Sequence, residues 1–200
     1  GLYLSSGVKN LGSILPDWNM GIRNNFSYKN LSVSALLDIQ QGGKYFSVTN
    51  MFGMYSGMLE ETAANNVRET GTISQGVTGT VTSNGDGTYT VTNTAQNTKN
   101  VSAASYYGHY YSGPTAQNVF DADYVKLREV TVSYTFPKKW SGPFSNVVVS
   151  AFGRNLGTWG LDNKHIDPEQ ASGGSGNIQG LEGGSLPSTR TYGMNLKLQF

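Results

Sequence analysis

Cysteine is absent from the 200 residues, which excludes a disulfide framework, a zinc ribbon and thiol catalysis. Charge is scarce: Asp, Glu, Lys and Arg make up 14% of the chain, against about 25% in an ordinary soluble domain. The 14 Lys and Arg nearly cancel the 13 Asp and Glu, leaving a formal net charge of +1. That is no basic footprint, so a nucleic-acid partner is not expected. No apolar run approaches the roughly 18 residues of a membrane-crossing helix. Helical periodicity is nearly missing as well. In 51–67, Met54, Met58, Leu59 and Thr62 fall at loose helical spacing, but Gly53 and Gly57 interrupt them, so at most one short helix is expected there. An initiator Met is lacking at Gly1, and further sequence is expected upstream.

What is abundant is glycine, 26 of 200, and tyrosine, 12 of 200, set among segments of period two. Tyr192, Met194, Leu196, Leu198 and Phe200 alternate with Thr191, Gly193, Asn195, Lys197 and Gln199, the pattern of a strand with one oily and one wet face. Leu31, Val33, Ala35, Leu37 and Ile39 alternate in the same way, as do Met20, Ile22, Asn24, Phe26 and Tyr28 just before them. The polar pair Lys29-Asn30 between these runs reads as a tight hairpin turn. In 124–136, Val130, Val132, Tyr134 and Phe136 share one parity with Lys126 and Arg128, so strict alternation puts all six on one face, with Pro137 ending the strand. A further strand, 146–155, is Val-rich on both parities, and its inward face is not assignable from pattern. Val77 to Thr92, turning at Asn84-Gly85-Asp86-Gly87, reads as a small hairpin that projects from a loop.

Connections between the main strands are very short (29–30), very long (42–122), short (137–145) and long (156–190). Loops beyond about 12–15 residues are uncommon in compact soluble domains. Short turns alternating with long loops are characteristic of transmembrane β-barrels, and about ten residues tilted near 45° span the apolar band. Trp140, Phe144, Tyr28 and Tyr192 stand where aromatic girdles belong. A soluble β-sandwich also alternates, but the asymmetry of the connections favours a membrane.

Chemistry is sparsely represented. His109 and His165 lie far apart in loop-like segments, with no ligand spacing for a catalytic metal, and no Gly-x-Ser-x-Gly elbow precedes a helix. Neither a metal nor another cofactor is expected. Glu60-Glu61, Asp121/Asp123 and Asp162/Asp167/Glu169 are paired carboxylates of the kind a glycosidase needs across a cleft. Asp162, Asn163, Asp167 and Glu169 also carry the oxygen ligands that calcium takes, although turn hydrogen bonds explain them more economically. Gly173-Gly174-Ser175-Gly176 reads as a loop, with no following helix to hold a phosphate. Tyr106, Tyr107, His109, Tyr110 and Tyr111 crowd beside Gly108 and Gly113. Such a cluster offers rigid, amphipathic contact area for a ligand or a protein lid, or else packs the long loop. Trp159 is a second candidate contact.

Several passages resemble SusC/RagA-type TonB-dependent outer-membrane transporters. They are Leu15-Pro16-Asp17-Trp18-Asn19-Met20-Gly21, Phe26-Ser27-Tyr28-Lys29-Asn30-Leu31, and Asp38 with Gln41-Gly42-Gly43. The run Asp121-Ala122-Asp123-Tyr124-Val125-Lys126-Leu127-Arg128-Glu129-Val130 and its continuation to Pro137 follow. Gly153-Arg154-Asn155-Leu156, Asp167-Pro168-Glu169 and Pro187-Ser188-Thr189-Arg190-Thr191-Tyr192-Gly193 complete the set, which is weakest over 62–118. The resemblance implies an all-β fold: the C-terminal portion of such a transporter, about five strands of a barrel of roughly 22. It also implies a large extracellular loop at 43–121 containing the small hairpin, and a second at 157–190. Expected partners are a SusD-like surface lipoprotein, TonB-ExbB-ExbD acting through the absent N-terminal part, the outer membrane, and the barrel-assembly machinery, which would read Tyr192, Met194, Leu196, Leu198 and Phe200. The function implied is import of nutrients such as oligosaccharides or peptides across the outer membrane, without catalysis. In that orientation Lys29-Asn30 and 137–145 are periplasmic, and Lys126 and Arg128 lie near the outer rim. The rival readings are a secreted carbohydrate-binding β-domain and a surface enzyme using Asp121, Asp123, Asp162 or Glu169.

Overall fold

The computed structural model describes residues 1–5, 7–171 and 179–200; the Gly-rich stretch 173–176 lies outside them. In chain order the strands are β1 (Trp18–Tyr28), β2 (Leu31–Gln41), β3 (Lys44–Ser47), β4 (Val77–Ser83), β5 (Tyr89–Gln96), β6 (Val119–Asp121), β7 (Tyr124–Thr135), β8 (Asn146–Trp159), β9 (Leu181–Glu182) and β10 (Thr191–Gln199). The helices are α1 (Val48–Tyr55), α2 (Val67–Thr70) and α3 (Ala103–Ser112). These elements fall into two units. A sheet unit comprises Ser13–Gly43, Asp121–Gln170 and Leu186–Phe200. A helical unit comprises Gly1–Gly12, Lys44–Phe120 and Ala171–Ser185.

The sheet unit is one antiparallel sheet of order β1-β2-β7-β8-β10. Lys29-Asn30 makes the tight β1–β2 turn that its polarity predicts, with Lys29 in the left-handed region at φ 53°. The 137–145 connection is also short, its Lys138–Trp140 forming a single 3-10 turn. Both short connections lie at the same end of the sheet, and both long ones leave from the other.

Register assigns the faces, because residues directly opposite one another share a side. Ile22, Leu37 and Leu127 lie in one row; Phe26, Val33, Val132, Ala151 and Met194 lie in another. Following every row gives a face built of Met20, Ile22, Phe26 and Tyr28 from β1 and all five alternating apolar residues of β2. From β7 come Val125, Leu127, Val130, Val132 and Tyr134; from β8, Val147, Val149 and Ala151; from β10, Tyr192, Met194, Leu196 and Leu198. Among the described residues no Asp, Glu, Lys or Arg stands on it. Arg23, Asp38, Lys126, Glu129, Arg154 and Lys197 all take the opposite face, with the serines and threonines. The register also settles β8, whose Val148 and Phe152 point to the polar side.

One expectation is overturned. Lys126 and Arg128 do not share a face with Val130, Val132, Tyr134 and Phe136. Leu36 pairs with Glu129 while its neighbour Leu37 pairs with Leu127, so Arg128 is an extra residue, a β-bulge. Across β8 the same residue faces two, Asn155 and Leu156. An inserted residue inverts the alternation beyond it, which places Lys126 beside Asp38 on the polar face.

The helical unit fills the 42–122 gap with structure. Ser47 caps α1 by accepting the Asn50 N–H at 2.9 Å. The buried Glu182 on β9 then fastens this corner, accepting from Ser47 Oγ and Thr49 Oγ1 at 2.7 Å each and from the Gly184 N–H at 2.6 Å. Burial opposes its ionisation, but these hydrogen bonds outweigh it and hold the carboxyl below its ordinary value. The helix starts before the expected 51–67 and stops at Ser56; Gly57, at φ 73°, turns the chain away. The 77–92 hairpin forms as predicted and reaches Gln96, as a separate two-stranded sheet, β4-β5. A second helix, α3, occupies the tyrosine segment, where no helix is expected from pattern. Ser102 caps it through the Ser105 N–H.

Candidate functional site

Two clusters carry the polar and aromatic chemistry, one in each unit. In the sheet unit the bulge brings Lys126 and Arg128 to the polar face near the end from which the long connections leave. Lys126 Nζ donates to Asp167 and Glu169 at 2.5 Å each, and its side chain is only 4% exposed. Arg128 bridges Glu169 and Asp38. Both cations lie against the Tyr124 ring, Lys126 Nζ 4.7 Å from its centroid. Burial disfavours the Glu169 carboxylate, but its hydrogen bonds to Arg128 and Lys126 prevail and hold it down at about 2. A charge-assisted lattice of this kind fixes the Asp167-Pro168-Glu169 turn on the sheet. Further along the same face, Arg154 pairs with Glu129 at 2.8 Å and Ser133 with Ser150 at 2.9 Å.

The remaining carboxylates have structural partners. Asp123 accepts from the Gln41 amide and the Gly42 N–H, and Asp162 accepts from the Asp121 N–H. Among the described residues no three acidic or imidazole side chains converge as a metal site would require.

In the helical unit α3 sorts the tyrosines by face, since residues three and four apart neighbour one another. Tyr106, Tyr107 and Tyr110 cluster with centroids 5.1–6.2 Å apart, Tyr107 stacked on Tyr110 and Tyr106 edge-on to both. The Tyr107 hydroxyl donates to the Glu61 carbonyl at 2.6 Å. Burial first, and the neighbouring phenols next, push the Tyr110 hydroxyl well above its ordinary value, and Tyr106 and Tyr107 are raised as well. All three therefore stay neutral. His109 lies apart, its Nε2 2.7 Å from the Tyr3 carbonyl oxygen. Tyr111 is 57% exposed and meets Tyr55 and Phe52 of α1 at 5.3 and 5.7 Å, making an exposed three-ring patch. Trp159 does not belong to either cluster. It stands opposite Val125 on the apolar face, folded over Gly157, where a Cβ would lie 2.4 Å from its ring. The alternate apolar residues of β10 keep one face, and Tyr192, Met194 and Leu196 are 60–78% exposed.

The sequence offers no sign of the Lys126–Asp167 and Arg128–Asp38 pairings, which join residues 41 and 90 positions apart. Its one available clue is a pair of cations on a strand otherwise apolar at that parity.

No protein-family model matches the chain. Two curated proteins of Formosa agariphila do. "TonB-dependent receptor P26" is 30% identical over 95% of the chain, and "TonB-dependent receptor P3" is 26% identical over 96%. The chain is thus similar in sequence to TonB-dependent receptors. It spans 18% and 17% of the length of those two proteins. Among solved structures it resembles the RagAB peptide importer in its "open-open" state (TM-score 0.58, 16% identity, 94% of the chain). It also resembles the "closed-closed" state (0.59, 18%, 96%), in each case over 18% of the longer chain. The receptor-like chain thus shares its fold with a segment of these importers.

Proposed function

We propose that this chain is wall and outer loops of a TonB-dependent outer-membrane transporter, and that the whole protein imports nutrients such as oligosaccharides or peptides with a SusD-like surface lipoprotein. The observation that carries this reading is the division of the sheet unit into a charge-free, exposed apolar face and a polar face holding every strand charge. Phe26, Tyr192, Met194 and Leu196 are each at least 60% exposed. In a soluble sandwich such a face packs on a second sheet; in a barrel it faces lipid while the polar face lines the lumen. The kinship with TonB-dependent receptors supports the coupling to TonB-ExbB-ExbD, and the likeness to a peptide importer supports a nutrient cargo.

In this reading both short connections are periplasmic, and the segments 43–121 and 157–190 are extracellular. The β10 row ending at Phe200 is the assembly signal. Tyr28, Trp140 and Phe200 form one aromatic girdle, and Trp159 and Tyr192 belong to the other. Tyr111, with Phe52 and Tyr55, is the surface offered to lid or ligand, while Tyr106, Tyr107 and Tyr110 hold the loop together. His109 ties the helix to the N-terminal segment. The side chains act by binding and positioning, and none is assigned a catalytic step.

The test is uptake of labelled oligopeptides and oligosaccharides by cells carrying the full-length gene, its deletion, or the intact gene without TonB. Uptake of at least one class should vanish in both mutants. Unchanged uptake of every class overturns the assignment.

A further inference from the structure

Next to the bulge the sheet unit holds a cleft of about 270 Å³, whose lining includes Lys126, Thr158, Lys164, His165, Ser188 and Arg190. Thr158 stands opposite Lys126, so this cleft opens on the polar face. Its key feature is the way Arg190 is held. Asn155, an extra residue of the bulge, sits in the left-handed region at φ 52°, a conformation that costs energy and collects at functional sites. Its carbonyl accepts Arg190 Nε at 3.3 Å, and its side-chain amide donates to the Thr189 carbonyl at 2.9 Å. Among the described residues the guanidinium is held through Nε alone. Its two terminal nitrogens donate to none of the described residues. Asp167, the one carboxylate among the described lining residues, is taken by Lys126 and Ser188.

We propose that this cleft binds the carboxylate of a solute moving along the polar face. A guanidinium presents parallel N–H donors that match a carboxylate bidentately. Lys164 adds a second positive charge to the same cleft, and the Thr158 hydroxyl adds a neutral donor. Neither cation of the buried lattice is needed, because Lys126 and Arg128 are satisfied by Asp38, Asp167 and Glu169. The proposal rests on the transporter reading only for where the solute comes from.

Binding is measured on the purified full-length transporter by calorimetry. One pair of probes is trialanine and its C-terminal amide; the other is cellobiouronic acid and cellobiose. In at least one pair the acid should bind more tightly than its neutral partner, and the pair that does so identifies peptide or acidic sugar as the source. Arg190→Gln should weaken the acid at least tenfold, and leave the neutral partner unchanged. Lys164→Gln, a variant with no part in the Asn155 anchor, should give a smaller loss. Where Arg190→Gln does not reach the membrane, Lys164→Gln together with a fall in acid affinity at raised salt decides the matter. Equal binding of acid and neutral forms, no binding of either acid at millimolar concentration, or wild-type acid affinity in the folded variants overturns the proposal. Loss of TonB-dependent uptake with acid binding intact would instead count against the transporter reading, and leave the cleft standing.

Discussion

Lys126 is an ammonium almost wholly withdrawn from water, and its stability depends on two carboxylates at 2.5 Å. Removing one partner of a buried pair strands the other charges. Lys126→Ala should therefore destabilise the folded protein by about 3 kcal/mol, read as an earlier heat-induced shift of the full-length protein on a gel. Glu169 supplies a pH dependence. Its folded pKa, about 2, lies below its ordinary value of 4.5. The stabilisation is thus fully present above roughly 4.5 and is lost as pH falls toward 2. Thermal melts of wild type and Glu169→Gln should differ at pH 7 and converge near pH 2; a constant gap would show that the carboxylate contributes nothing through its charge. At this scale little was legible beforehand. Sequence parity put Lys126 on the wrong face because one inserted residue, visible only through pairing with β2 and β8, inverts the alternation.

Among the elements, strands were the most legible part. Period-two patterning located β1, β2, β7 and β10, valine content located β8 without assigning its faces, and two-residue polarity located the Lys29-Asn30 turn, because in a two-faced sheet burial and periodicity carry the same information. Helix α3 was hidden for the complementary reason. Its tyrosines, serines and glycine have modest helix propensity, and it gains its place from the Ser102 cap and from aromatic contacts on two sides. The stacked ring face and the exposed ring face predict different outcomes. Tyr110→Ala should cost about 1–2 kcal/mol of stability, measured by proteolysis of the segment 43–121. Tyr111→Ala should leave that stability unchanged and weaken lipoprotein or ligand binding in a pull-down from detergent. In the proposed barrel, Leu196→Arg on β10 aims a charge at the lipid midplane, where it costs about 2–4 kcal/mol, whereas Asn195→Arg aims it at the lumen. The first should abolish accumulation in the outer membrane and the second should be tolerated, as judged by membrane fractionation.

For the whole molecule, the sheet unit has two outer strands, β1 and β10, and its apolar face is exposed. In the proposed membrane setting, unpaired strand edges within hydrocarbon cost several kcal/mol for each backbone group, so that reading requires β1 and β10 to pair with further strands. The scarcity of charge read at the outset has the same origin: of the two sheet faces, one excludes charge altogether. The complete absence of cysteine in this segment makes the central claim directly measurable. Single cysteines are placed at Met194, Asn195, Leu196 and Lys197 of the full-length transporter, in an otherwise cysteine-free background, and labelled in intact outer membranes. Positions 195 and 197 should react with a charged, water-soluble maleimide, and 194 and 196 only with a lipid-soluble one. Equal reaction of all four with the charged reagent would contradict a sheet that lines a barrel.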